Sequence, residues 1–348
     1  MNPKSYICFV AGKSAGHILP ALTIAQELKK TRPQLEIIFI SNHTALDYQA
    51  LNHNPVISQH LALNLMGIPT KKPWLLPKFF WQLVNAFLQT YQIFKKNLPN
   101  QVISTGGLIA IPVCLVAKFF KIPIIIYELN VTPGKATKFL AKFASEIKIC
   151  FSKTAQFLPS AKCQLSSYPT RFSITDYNLD KLNAFNFIKN KNHNFKDSNK
   201  TILILGGSQG SLFINQTIYQ FIAQTNQQAD LNLQIIHQTG NQDLTNSQDF
   251  YRTNKIPAIV FSYETNLMPY YKCADLIICR SGAGTLAEIL PLKTRCITIP
   301  LETIYTSHQL ENALENAREH AWVHVLKQAE ITHDFQAFSN LVNKTINC

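Results

Sequence analysis

Apolar and polar positions alternate along the chain on two length scales. Short β-type runs of four to six apolar residues recur, separated by longer stretches with helical periodicity. In the first half the strand candidates are Tyr6 to Val10, Glu36 to Ile40, Gln101 to Ser104, Ile122 to Tyr127 and Ile147 to Cys150, with helices such as Pro20 to Lys30 and Leu108 to Phe120 between them. The second half restarts the same alternation, with strands at Thr201 to Leu205, Leu231 to His237, Ala258 to Phe261, Leu276 to Cys279 and Cys296 to Ile299. Apolar runs alternating with helices are the mark of a parallel sheet covered on both faces, so the pattern predicts two doubly wound α/β domains in series.

The boundary falls near Tyr168-Pro169-Thr170-Arg171, a hinge-like tetrapeptide, giving domains at 1–167 and 168–348, with the last helix able to pack back on the first domain. The polar stretch Lys189 to Lys200 reads as a surface loop. Both halves open with a strand that runs directly into glycines and then a helix. In open α/β sheets ligands bind beyond the carboxyl ends of the strands, where helix N-termini offer unpaired N–H groups to anions. Two such loops facing across a cleft suit a phosphorylated ligand.

Composition narrows this picture. The 348 residues carry 33 Lys and Arg against 20 Asp and Glu, a formal net charge of +13, which favours phosphates, nucleic acid or anionic lipid headgroups without choosing among them. Cys8, Cys114, Cys150, Cys163, Cys273, Cys279, Cys296 and Cys348 stand singly, with no C-x-x-C pair, and read as buried or free thiols in a reducing compartment. The N-terminal apolar stretch fits a first strand better than a signal peptide. The longest apolar run, Leu108 to Ala117, is well short of the ~18 residues a membrane span needs. The chain is expected on the cytosolic side.

Candidate chemistry sits in the glycine turns. Gly12-Lys13-Ser14 has the look of a P-loop end, but that motif needs a glycine where Ile7 stands. His17, at the mouth of the following helix, is either a base with an ordinary pKa of about 6.5 or a satisfied structural histidine. The turn Gly206-Gly207-Ser208-Gln209-Gly210 suits a diphosphate held by backbone N–H groups and the Ser208 hydroxyl. The next strand ends in His237-Gln238-Thr239-Gly240 rather than an acid, which disfavours a nicotinamide enzyme. A third turn, Arg280 to Glu288, offers Ser281 or Thr285 as a helix cap. It also places Glu288 where a carboxylate accepts from the vicinal hydroxyls of a ribose, or merely complements the helix dipole. His320 and His324 have metal-like spacing, yet Ala321-Trp322-Val323 reads as a strand entry. Lys71-Lys72-Pro73-Trp74-Leu75-Leu76-Pro77-Lys78-Phe79-Phe80-Trp81 mixes bulky apolar groups with cations, as an interfacial segment does, or packs its aromatics into the first core.

Taken in order, these motifs resemble the MurG family of peptidoglycan glycosyltransferases, of the glycosyltransferase B fold. The likeness covers nearly the whole chain. It rests on Gly16-His17 through Pro20-Ala21-Leu22, Ser104-Thr105-Gly106-Gly107 with Pro112, and Glu128-Leu129-Asn130 with Pro133-Gly134. It continues with Gly206 to Gly210, Asn215-Gln216, His237 to Gly240, Cys279 to Glu288, and His308-Gln309 with Asn312-Ala313.

The resemblance implies an inverting transfer of N-acetylglucosamine from UDP-GlcNAc to the 4-hydroxyl of lipid I, a lipid-linked muramoyl-peptide, forming lipid II at the cytoplasmic face of the cell membrane. It implies a peripheral protein in contact with anionic lipids, with no nucleic-acid partner, no cofactor and no metal. Carried over, it makes His17 the base and brings Ser14, Ala15 and Gly16 to the donor. Asn130 then meets the sugar, Arg171 and Ser208 the nucleotide and its diphosphate, and Glu288 the ribose, with Ala283, Gly284 and Thr285 in the same donor turn. Gln309, or its neighbour His308, reaches the sugar or diphosphate, and Glu264 lies by the uracil. The rivals are a sugar-nucleotide epimerase and a nucleotide-sugar-binding membrane scaffold that has lost catalysis. The sequence departs from the family at Lys13 and Ala15 in the first loop, at Leu108 in place of a usual tyrosine, and at Tyr127 in place of a common histidine.

Overall fold

A computed structural model describes residues 6–12, 14–52, 54–207, 209–225, 232–303 and 308–347. The chain divides into two compact units, Met1–Arg171 and Phe172–Cys348.

The first unit is built on a parallel sheet of seven strands: β1 (Tyr6–Val10), β2 (Glu36–Asn42), β3 (Gln59–Leu63), β4 (Gln101–Ser104), β5 (Ile124–Glu128), β6 (Glu146–Ile149) and β7 (Cys163–Leu165). Their order is β3-β2-β1-β4-β5-β6-β7, with Val10 in register with Ile40 on one side and Ser104 on the other. β1 is buried at all five positions, because helices cover the sheet on both faces. The core therefore lies in two clusters, one around Tyr6, Cys8 and Val10, the other around Ile7, Phe9 and Ala11. This split follows from the two-residue period of a strand, which sends neighbouring side chains to opposite faces.

The second unit repeats the plan with six parallel strands: β8 (Lys200–Leu205), β9 (Leu233–Gln238), β10 (Ala258–Phe261), β11 (Leu276–Cys279), β12 (Arg295–Thr298) and β13 (Val323–Val325), in the order β10-β9-β8-β11-β12-β13. Ile202 and Ile204 face one cluster, Leu203 and Leu205 the other. The last helix, Phe335–Asn347, which the sequence left able to pack back on the first unit, buries Phe338, Val342 and Ile346 in the second sheet's core.

In both sheets the winding reverses beside the first strand, between β1 and β4 and between β8 and β11. At such a switch point the two neighbouring loops leave the sheet in opposite directions and open a crevice at the carboxyl ends of the strands.

Two sequence expectations are corrected. Lys189 to Lys191 are not loop but the last turn of the helix Lys181–Lys191, whose start is capped by the Asp180 side chain. The short strands β3, β7 and β13 complete the sheets, and the apolar pattern marks neither β3 nor β7; β7 is three residues long and mostly exposed, so it lacks an apolar run to betray it.

Candidate functional site

In the first unit the switch point gathers the turn after β1 and the turn after β4. Gly107 packs against the backbone of Gly12, where an added Cβ would lie 3.0 Å from the Gly12 carbonyl oxygen. The helix Ala15–Thr31 starts at Ser14, which caps it by backbone geometry with no side-chain hydrogen bond. That start puts His17 in the first turn.

His17 Nδ1 lies 2.8 Å from the carbonyl oxygen of Thr105, and the Thr105 hydroxyl donates to the carbonyl of His17 at 2.7 Å. A carbonyl oxygen only accepts, so Nδ1 carries the proton and Nε2 of the neutral ring keeps its lone pair. Gly106, at φ +114°, makes room for the ring: a Cβ there would stand 2.9 Å from His17 Cε1. The side chain is half-buried. Of the other donor-side candidates, Ser14 is half-buried and Gly16 exposed, Ala15 is the first helical residue, and Lys13 lies outside the described residues.

Asn130 is presented by the turn after β5. Its backbone N–H and its Nδ2 donate to Glu128 Oε1 at 3.0 and 3.3 Å, and the Gly134 N–H donates to Glu128 Oε2 at 3.3 Å. Burial pushes the Glu128 carboxyl above its usual range, while these donors and Thr137 oppose the shift. One buried carboxylate thus clamps the whole 128–134 turn, a role the sequence had left unassigned.

In the second unit the turn Gly206 to Gly210 follows β8, with Ser208 outside the described residues. The Gly210 N–H closes the turn on the Gly207 carbonyl at 3.0 Å, and Gln238 Nε2 donates to the same carbonyl at 3.0 Å. Gly210 and Gly240, both at φ +78°, lie back to back: a Cβ on Gly210 would stand 2.1 Å from the Thr239 oxygen. The turn is therefore locked onto the end of β9. Beneath it His237 is fully buried, its Nε2–H donating to Asn215 Oδ1 at 3.1 Å and its Nδ1 accepting from the Tyr251 hydroxyl at 2.8 Å. Burial holds its pKa down at about 3, so the ring is neutral. Its hydrogen bonds make it structural support for the turn.

Across the switch point, β11 leads to Arg280 and the helix Ala283–Ile289. Gly282 is the N-cap with no side-chain cap bond, so neither Ser281 nor Thr285 caps this helix. Ser281 is fully buried and its Oγ has no hydrogen-bond partner among the described residues. Ala283 is buried, and Gly284, Thr285 and Glu288 are half-buried. Glu288 Oε2 accepts from the Tyr271 hydroxyl at 2.9 Å and its carbonyl from the Tyr177 hydroxyl at 3.1 Å. Phe172, Tyr177 and Tyr271 stack edge to face beside it. The carboxylate is thus held by an aromatic cluster, which a simple dipole partner would not need.

The remaining candidates scatter. Arg171, half-buried, ends the first unit. Glu264 accepts from Lys191 at 3.4 Å and from the Asn266 N–H at 3.0 Å, and the lysine and these backbone donors hold its carboxyl below its usual range despite burial. Gln309 Oε1 accepts from the Leu301 N–H at 3.0 Å, while burial lowers the pKa of His308. Among the described residues, no group of three or more His, Cys, Asp and Glu is arranged to hold a metal. His320 stacks on Trp322 and His324 lies in β13.

The stretch 71–81 divides. Phe79 is 6% exposed and belongs to the core, whereas Trp74, Phe80 and Trp81 are 69%, 57% and 66% exposed. The helix Leu76–Lys96 buries Phe79, Gln82, Ala86, Thr90 and Phe94 on one face, so Phe80, Trp81, Val84 and Leu88 form a second, outward apolar stripe. The core expectation holds for Phe79 and fails for the other three aromatics.

Comparison with known proteins agrees on one family. Residues 7–149 match the glycosyltransferase family 28 N-terminal domain and residues 201–344 its C-terminal domain. A relative from Protochlamydia amoebophila (strain UWE25) is 31% identical over 313 residues, covering 87% of this chain and 78% of its own. It is named UDP-N-acetylglucosamine–N-acetylmuramyl-(pentapeptide) pyrophosphoryl-undecaprenol N-acetylglucosamine transferase. Among solved structures, Acinetobacter baumannii MurG superposes with a TM-score of 0.73 at 21% identity, covering 98% of this chain and 91% of its own. The UDP-GlcNAc 2-epimerase of Methanocaldococcus jannaschii gives 0.59 at 17% identity, covering 94% and 91%. Both structural likenesses speak for the fold, which transferases and epimerases share.

Proposed function

Since the chain belongs to the MurG family of glycosyltransferase family 28, we infer that it transfers N-acetylglucosamine from UDP-GlcNAc to the lipid-linked N-acetylmuramyl-pentapeptide pyrophosphoryl acceptor, producing lipid II for peptidoglycan. The observation that carries the catalytic reading is the His17 ring, tied at Nδ1 to the Thr105 carbonyl so that Nε2 is the basic nitrogen. In the proposed reaction the acceptor 4-hydroxyl gives its proton to Nε2 and attacks the anomeric carbon. The glycosidic bond to the diphosphate breaks with inversion, and UDP leaves.

The second unit supplies the nucleotide's side of the reaction. The Gly206–Gly210 turn, with Ser208, takes the diphosphate on backbone N–H groups, and Glu288 takes the ribose hydroxyls. Support comes from the location of both at the switch point of the second sheet and from the Tyr271 bond that fixes the carboxylate. Ser14, Ala15, Gly16 and Asn130 serve the sugar from the first unit, Arg171 and Gln309 the diphosphate, with His308 beside it. Ala283, Gly284, Thr285 and the Glu264 turn serve the nucleoside.

The acceptor is lipid-linked, and we assign the outward stripe of Trp74, Phe80, Trp81, Val84 and Leu88 to peripheral contact with the cytoplasmic face of the membrane. Exposed Lys71, Lys72 and Lys78 and a net charge of +13 suit anionic headgroups. Among the described residues no helix is long and apolar enough to cross a membrane.

Incubation with UDP-GlcNAc and a lipid-linked muramoyl-pentapeptide tests the reading. UDP and a lipid-linked disaccharide should appear together and only when the acceptor is present. Conversion of the donor alone to its 2-epimer would make the protein an epimerase. A donor-induced rise in melting temperature with no product would make it a binding scaffold.

A further inference from the structure

Arg280 is a buried cation in an unusual setting. It is 8% exposed, yet among the described residues its guanidinium makes hydrogen bonds only to neutral oxygens: Nη1 to the carbonyls of Ile299 and Pro300 at 3.0 and 3.4 Å, Nη2 to Ser211 Oγ at 2.6 Å and to Gln328 Oε1 at 2.7 Å. None of its ion-pairing or hydrogen-bonding partners among the described residues is a carboxylate. Burial without an opposing anion pulls its pKa down to about 10, still far above neutrality. Buried charges are as a rule paired or neutralised, so a retained, unpaired guanidinium points to an anion that arrives from outside.

Its contacts show where that anion sits. Ser211 ends the glycine turn and caps the 14-residue helix Leu212–Thr225: its Oγ accepts from the Ile214 N–H at 3.3 Å and its carbonyl from the Asn215 N–H at 2.9 Å. Ile299 and Pro300 leave β12, and Arg280 itself leaves β11. One side chain thus joins the glycine turn to both strand exits at the switch point. The next residue, Ser281, adds a fully buried hydroxyl with no hydrogen-bond partner among the described residues. Unsatisfied buried polar atoms in a native fold call for an absent ligand or water.

We propose that Arg280 is a positioning residue for the donor's diphosphate: its buried charge is the fixed counter-charge of the leaving UDP, and its bonds to Ser211 and the 299–300 carbonyls hold the glycine turn at the spacing the phosphates need. This rests on the nucleotide assignment made above. The guanidinium acts through the turn rather than by touching the phosphates. Because negative charge on the diphosphate grows as the glycosidic bond breaks, a preorganised cation favours the transition state over the ground state. Lysine keeps the charge, the larger of the two contributions, while reaching fewer of the oxygens.

The test compares UDP with uridine, two ligands that differ only in the diphosphate. Wild type is expected to bind UDP more tightly. Arg280→Gln should weaken UDP by about tenfold, the scale of losing one charge that acts on the diphosphate from behind the turn without touching it, while leaving uridine within about twofold. It should also lower kcat more than it raises the KM for UDP-GlcNAc. Arg280→Lys should keep most of the UDP-over-uridine preference, and it supplies the readout should the glutamine variant fail to fold. Equal weakening of both ligands, or an unchanged preference in Arg280→Gln, would overturn the proposal by leaving Arg280 a structural tie. Collapse of the preference in a folded Arg280→Lys would also overturn it, by showing that shape rather than charge is read. A wild type that holds uridine as tightly as UDP would instead overturn the diphosphate assignment itself.

Discussion

His17 and Thr105 hold each other through two hydrogen bonds, ring Nδ1–H to carbonyl at 2.8 Å and hydroxyl to carbonyl at 2.7 Å. The imidazole, which could otherwise turn about two side-chain torsions, is thereby fixed in one tautomer and one direction. Such orientation lets an imidazole accept a proton without reorganising at the moment of reaction.

Two substitutions separate the ring from its orientation. His17→Ala is expected to lower kcat by roughly 10²- to 10⁴-fold, the usual worth of a positioned base, with donor affinity little changed. Gly106→Ala leaves the imidazole in place but pushes a methyl to within 2.9 Å of Cε1 at a φ of +114°, so it should also lower kcat while the KM for UDP-GlcNAc holds. Steady-state kinetics on both decide the matter: a wild-type kcat in His17→Ala removes the base, and a wild-type kcat in Gly106→Ala shows that its direction is immaterial.

Tyr271 and Glu288 form the corresponding pair in the second unit. If the carboxylate reads the ribose, a phenol bonded to Oε2 selects the rotamer in which it does so. Tyr271→Phe should then weaken UDP by about tenfold, the lower end of the roughly 1.5 to 3 kcal/mol that a hydrogen bond to a charged group contributes. The same variant should bind 2′-deoxy-UDP nearly as well as wild type does. Calorimetric titration with the two nucleotides checks this; equal loss for both would assign the tyrosine to packing with Phe172 and Tyr177.

Much of this architecture is legible in the amino-acid pattern. β1, β4, β10 and β11 run where the sequence pattern places them, and β1 and β11, buried at every position, are apolar throughout as strands covered on both faces must be. The glycine turns were legible for a related reason: Gly106, Gly210 and Gly240 occupy φ values that other residues avoid. What stayed hidden were partners rather than elements. Thr105 is 88 residues from His17, and Arg280 is 69 from Ser211, so no local spacing announces either contact. Arg280 did carry a weak signal, a charge directly after the fully buried run Leu276 to Cys279. The expectation that Ser281 or Thr285 caps its helix failed because cap propensity is a local rule, and Gly282 fills that position through backbone geometry alone.

The outward stripe makes a membrane prediction. A tryptophan inserted at the headgroup boundary contributes apolar area, whereas a glutamate there is repelled by anionic lipid. Trp81→Glu, at a position 66% exposed, should leave the melting temperature within about 2 °C, as surface changes do, and reduce cosedimentation with vesicles containing anionic phospholipid several-fold. Unchanged cosedimentation would remove this face from the membrane.

His237 links the second unit to acid lability. Its folded-state pKa is near 3 because burial disfavours the imidazolium, against about 6.5 in an unfolded chain. The stability it contributes is therefore complete above pH 6.5 and is lost as the pH falls toward 3, since the unfolded state takes up a proton that the folded state refuses. The slope approaches about 1.4 kcal/mol per pH unit within that window. Asp243, which accepts from Asn215 and Tyr219, also has a lowered pKa, but its contribution is lost only below the usual carboxylate range near 3.9. Between pH 6.5 and 4 the two groups are thus separable. His60 and His308, whose pKa values burial also lowers, contribute equally to wild type and variant. Glutamine at position 237 can accept from Tyr251 and donate to Asn215 without titrating. His237→Gln should accordingly be less stable than wild type at pH 7.5 but lose stability more slowly on acidification, so that urea-unfolding free energies measured from pH 7.5 to 4 converge. Parallel curves over that range would show that the buried imidazole is not what makes this unit sensitive to acid.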